Sequence, residues 1–68
     1  MSLDDLTRYF DFLDGLRESG RTNMYGAGPY LQKQFHLPQV LAQRVCHDWR
    51  RTFNSKQTAR ERAAQVAA

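Results

Sequence analysis

Few side chains in this chain have the chemistry of a nucleophile, a general base or a metal ligand. They are one cysteine, Cys46, two histidines, His36 and His47, and seven carboxylates. Cys46 and His47 are neighbours, and consecutive side chains on a helix point about 100° apart, so they cannot pair as thiolate and imidazole. Cys46 follows Ala42 by four residues beside an apolar stripe, which is the setting of a small buried thiol. Neither histidine has a second His, a Cys or an acidic pair at ligand spacing, and Asp48 alone makes no metal site. Asp11 and Asp14 share a helical face, as a pair of carboxylates for acid–base work would. Arg8 and Arg17 flank them, and that pattern belongs to a solvated surface. Gly26-Ala27-Gly28 has no preceding strand, no Gly spacing of a nucleotide fingerprint and no following Lys-Ser/Thr pair. These patterns predict no enzyme, no metal and no cofactor.

A different chemistry lies in the forked side chains that follow Pro38. Gln39, Gln43, Arg44 and His47 project from the polar side of a helix beginning there, and Gln and Arg match the edges of adenine and guanine. Lys33, Arg50, Arg51 and Lys56 would meet phosphates on either side. With about four to six phosphate contacts a monomer binds weakly at physiological salt, so this reading calls for a homodimer on a palindrome, joined through the first helix. A second reading gives the same cations to a protein partner. Its interface would be Tyr25, Tyr30, Trp49 and Arg50 or Arg51, because aromatic and Arg side chains dominate interface energetics. A third reading spends the exposed apolar residues on a structural homo-oligomer.

The elements that must position these groups follow from spacing. Leu31 and Phe35 share a face, Leu37 follows two residues later, and Pro38 fits only where a new helix begins. Leu41, Val45, Trp49 and Phe53 then recur every fourth residue. On a helix-turn-helix pattern starting at Gly28, the apolar positions hold Leu31, Phe35, Leu37, Ala42 and Val45. Gln32 stands where a small residue is usual, and His36 where Gly is usual. A purely structural helical corner needs most of the same apolar positions.

Ahead of this corner, Ser2 is an N-cap with Asp4 and Asp5 in the first turn. Leu3, Leu6, Phe10, Leu13 and Leu16 form a stripe, and Gly20 suits a left-handed end. Tyr9 and Phe12 widen the stripe beyond what one small helix buries. The spacing therefore predicts an all-α, compact three-helix domain over residues 1–53, with helices near 3–19, 27–35 and 38–53. Residues 54–68 form a basic, Ala-rich segment in which Thr58 and Glu61 make a capping-box signature for a fourth helix near 58–66. At about ten residues that helix is too short to hold alone, so it is frayed in a free monomer or docked.

Sixty-eight residues make one domain with a small core, and a single cysteine excludes an intrachain disulfide. The net charge of +3 conceals a division. Residues 1–20 carry two arginines against five acids, a net −3, while residues 21–68 carry eight basic side chains against Asp48 and Glu61, a net +6. A polyanion would be repelled by the first helix and drawn to the rest, although the two halves can equally attract each other. No apolar run approaches the roughly 18 residues a membrane span needs, and Asp4 and Asp5 stand where a secretory signal carries Lys or Arg. A cytoplasmic protein is expected, with no membrane partner.

The runs Tyr9-Phe10, Phe12-Leu13-Asp14, Leu16-Arg17-Glu18-Ser19-Gly20, Thr22-Asn23-Met24-Tyr25-Gly26-Ala27 and Pro29-Tyr30-Leu31 are followed by Phe35, Leu37, Trp49 and Phe53. Across residues 9–53 this sequence resembles small helical proteins encoded by bacteriophages and prophages. The resemblance implies a compact helical accessory factor in the host bacterial cytoplasm, and it carries no activity over to particular positions.

Overall fold

The computed structural model describes residues 1–67, in which four helices and no strands are found. The helices are α1 (Leu3–Ser19), α2 (Gly28–Phe35), α3 (Gln39–Thr52) and α4 (Ala59–Ala67). Each boundary has a local cause. Ser2 Oγ accepts the Asp5 amide at 3.1 Å to open α1, and Gly20, at φ 74°, closes it by donating its N–H to the Arg17 carbonyl. Asn23 Oδ1 accepts the amides of Tyr25 and Gly26, at 2.9 and 2.8 Å, and so shapes the connection to α2.

The corner between α2 and α3 is built by Gln32 and His36. His36 takes the left-handed conformation, at φ 55°, and donates its N–H to the Gln32 carbonyl, which also accepts the Leu37 amide at 3.2 Å. The Gln32 side chain returns a bond, donating from Nε2 to the Leu37 carbonyl at 3.3 Å. Pro38 is extended and serves as the N-cap of α3.

Leu6, Phe10, Leu13 and Leu16 of α1, Leu31 of α2, and Ala42, Val45, Cys46 and Trp49 of α3 form the core. The α3 stripe lies closer to Ala42 and Cys46 than four-residue spacing alone implies, since Leu41 and Phe53 are only half-buried. Tyr9 and Phe12 are half-buried within the monomer, both meeting the Phe35 ring edge-on, at 4.9 and 5.6 Å between centroids.

The C-terminal segment is docked. α4 lies along α1, with Ala59 and Ala63 buried and Arg60 paired to Asp4 at 3.2 Å. Thr58 and Glu61 form the reciprocal cap: Thr58 N–H donates to Glu61 Oε1 at 2.9 Å, and Glu61 N–H to Thr58 Oγ1 at 3.1 Å. The third attachment is Arg62, only 1% exposed, whose guanidinium reaches Asp14 at 2.6 Å and the Gln57 carbonyl at 3.0 Å. Asp14 is therefore not on a solvated surface with Asp11. Its Oδ1 also accepts the Trp49 indole N–H at 2.9 Å, so one half-buried carboxylate joins α1, α3 and α4.

Candidate nucleic-acid interface

With Ala42, Val45, Cys46 and Trp49 turned to the core, the opposite side of α3 must face outward. It presents Val40, Gln43, Arg44, His47 and Arg51, all exposed, with Gln39 beside them at the helix start. Gln39, Gln43 and His47 make no side-chain hydrogen bond among the described residues, whereas the two arginines share one acid. Arg44 Nε lies 3.7 Å and Arg51 Nη2 3.6 Å from the Asp48 carboxylate. At such exposure these pairs are worth a few tenths of a kcal/mol each, as for other exposed helix pairs, so they orient the guanidiniums more than they withdraw them.

The other expected contact residues are dispersed. Arg50 is half-buried; its Nη1 donates to the Met24 carbonyl at 3.4 Å, and its guanidinium lies 4.9 Å from the Tyr25 ring centroid. Lys33 lies on the side of α2 that faces α1, in an opening with Phe12, Arg21 and Tyr30, away from Gln39 and Gln43. Lys56 is exposed in the connection before α4, where its amide bonds Asn54 Oδ1. Trp49 does not belong to any surface. It is 1% exposed, because the fourfold spacing that makes α3 amphipathic puts it at the centre of the buried stripe, with its one polar atom satisfied by Asp14. Of the aromatic interface group this leaves Tyr25, 83% exposed, and Tyr30.

Val40, 79% exposed, is not marked by residue type, because an apolar side chain carries no hydrogen-bonding fork. Its position could have found it: three residues before Gln43 and four before Arg44, it must share their face. Beside this face, α2 and α3 enclose an open cleft of about 430 Å³, lined by Tyr25, Gln32, Gln39, Gln43 and Arg50 among others. Cys46 reaches its wall. Burial pushes that thiol above its ordinary value of 9.0, with the Arg50 charge opposing, so at neutral pH it is a thiol and a poor nucleophile. Among the described residues, no three His, Cys, Asp or Glu side chains come together in a group able to hold a metal ion. No helix there is long and apolar enough to cross a membrane. No family model, curated protein or solved structure matches this chain.

Proposed function

We propose that this protein binds duplex DNA by laying α3 in the major groove, as a small regulatory accessory protein of the phage type. The observation that carries the reading is the outward set Gln39, Gln43, Arg44 and His47. These are hydrogen-bonding side chains exposed together on the helix that follows a tight corner, and three of the four have no side-chain hydrogen bond among the described residues. The corner itself supports a helix-turn-helix. Leu31, Ala42 and Val45 are buried and Phe35 and Leu37 half-buried, as the pattern requires of its apolar positions. His36, where the pattern usually has Gly, adopts the left-handed conformation that a Gly there would supply. In this reading Val40 touches a thymine methyl group, Arg51 and Lys56 meet phosphates, and α1 stays clear of the polyanion because of its acids.

The test is a gel-shift series on random and selected duplexes from low to moderate salt, with wild type and Gln43→Ala/Arg44→Ala. Each good fork is worth about 1–3 kcal/mol, so the double change should weaken a selected site by at least tenfold while the helical signal is retained. An affinity untouched by that change would sink the reading, as would no binding to any nucleic acid at low salt.

A second reading, docking on a host protein, is favoured by one observation. Tyr25 stands at the mouth of the α2–α3 cleft with the Arg50 guanidinium against its ring, an exposed aromatic–Arg pair of the kind that anchors interfaces. Tyr25→Ala should leave DNA affinity nearly unchanged if the first reading holds, and should abolish partner binding if the second does.

A further inference from the structure

Charged side chains left without a partner in a folded monomer mark surfaces with unused binding capacity, and in this protein most of the charged ones so left border one groove. Of the basic residues, Arg8, Arg44, Arg51, Arg60 and Arg62 are in ion pairs, and Arg17 and Arg50 lie over Phe53 and Tyr25. Arg21, Lys33 and Lys56 make no such contact among the described residues. Of the acids, Asp11 and Glu18 are without an ion pair among the described residues, whereas Asp4, Asp5, Asp14 and Asp48 are paired and Glu61 caps α4. Arg21, Lys33 and Asp11 all line the trough between α1 and α2, where two adjoining openings of about 290 and 430 Å³ share Phe12, Leu16 and Arg21.

The floor of this trough is apolar. Phe12 is half-buried against Phe35, Leu16 lies beside it, and Tyr30, 41% exposed, forms the α2 wall. On the α1 wall stands Gly15, which is exposed and has nothing within 4 Å of where a Cβ would be, so another backbone can approach the helix there.

We infer that this trough is the seat of a second copy of the same chain, forming a two-fold dimer. A two-fold interface needs a self-complementary patch, one that carries both members of each contact. This one does: rotation sets Asp11 of one copy against Arg21 and Lys33 of the other, and repeats the contact, with the Phe12 and Tyr30 surfaces closing between them. A 68-residue chain with one cysteine also has little core of its own, and covering this strip adds to what it buries. The dimer holds whether or not α3 reads DNA.

Sedimentation equilibrium of the full chain from about 5 to about 500 µM tests it, since association weaker than that range would be of little consequence. Wild type should become mostly dimeric within the range. Arg21→Glu/Lys33→Glu should raise the dissociation constant at least about tenfold, and adding Asp11→Lys should recover part of that loss, because the reversed charges again face opposite signs. Gly15→Arg supplies a control for folding. It improves helix propensity in an exposed position, so the monomer should melt no lower while the dimer is lost. A chain that stays monomeric throughout would overturn the proposal. So would a dimer indifferent to Gly15→Arg and to the double reversal, or a triple variant no tighter than the double.

Discussion

Asp14 and Arg62, 48 residues apart in the chain, meet at 2.6 Å, and the indole N–H of Trp49 donates to the same carboxylate oxygen. The pair is asymmetric. Arg62 is sealed in, with the Phe10 and Phe53 rings 5.9 and 5.4 Å from its guanidinium and its Nε unbonded, whereas the Asp14 side chain keeps 26% exposure.

That asymmetry predicts unequal mutants. Asp14→Ala leaves a cation buried without its counter-charge and the indole N–H without an acceptor, and should cost about 3 kcal/mol or more. Arg62→Met keeps the apolar stem over the two rings and leaves Asp14 to water and Trp49, so it should cost about 1 kcal/mol or less. Urea unfolding of the two single variants and of the double checks this. Equal costs would mean that stranding the buried guanidinium carries no larger penalty than stranding the half-exposed carboxylate.

His36→Gly should stabilise the protein. The L side chain at φ 55° carries a local penalty of roughly 1–2 kcal/mol, partly offset by the freedom Gly adds to the unfolded chain, so the expected gain is about 0.5–1 kcal/mol. Thermal melting measures it. A loss of stability would imply that the imidazole makes a contact the corner depends on.

The α4 cap should be acid-labile. Hydrogen bonds from Thr58, first its backbone N–H and then its hydroxyl, hold the Glu61 carboxyl below the ordinary Glu range. A group whose folded pKa is depressed contributes stability above its unfolded pKa, and that contribution is lost as pH falls through the folded value. Helicity of α4 followed by NMR between neutral and acid pH should therefore fall in the acid range. In Glu61→Gln, which has no proton to gain there, that step should disappear.

Asp48 restrains two of the outward arginines, so Asp48→Asn should strengthen any DNA binding. Freeing one extra net charge near the phosphates predicts roughly a three- to tenfold gain at low salt and a salt slope steeper by about one. Titrations of wild type and variant at several salt concentrations measure both quantities. An unchanged slope would place Arg51 away from the phosphates.

Cys46 should resist alkylation until the fold opens, because it is 2% exposed and burial raises its thiol. A raised folded pKa also means that keeping this thiol protonated favours the fold, a contribution complete below the unfolded value and lost as pH climbs through the folded one. Labelling at pH 8 should track unfolding across a urea series, with fast reaction in native buffer as the contrary result.

Helices, caps and the corner were legible in the chain because they are local. Ser2, Gly20, Pro38 and the Thr58–Glu61 pair act on residues within one turn of themselves, and spacing by three or four determines which side of each helix is apolar. The Gln43–Arg44 face was legible for the same reason, since a helix whose buried stripe is known must expose the opposite side. Spacing places Asp14 on a solvated surface and Trp49 at an interface, against what the fold shows, because a carboxylate beside arginines and an aromatic beside arginines look alike whether solvated or buried. Sequence proximity groups Lys33 with α3, but α2 turns it toward α1. The docking of α4, and with it the burial of an arginine that composition assigns to a basic tail, depended on contacts nearly fifty residues apart. Such contacts are decided by which surfaces remain uncovered after the helices pack, a property of the assembled chain that no local window contains.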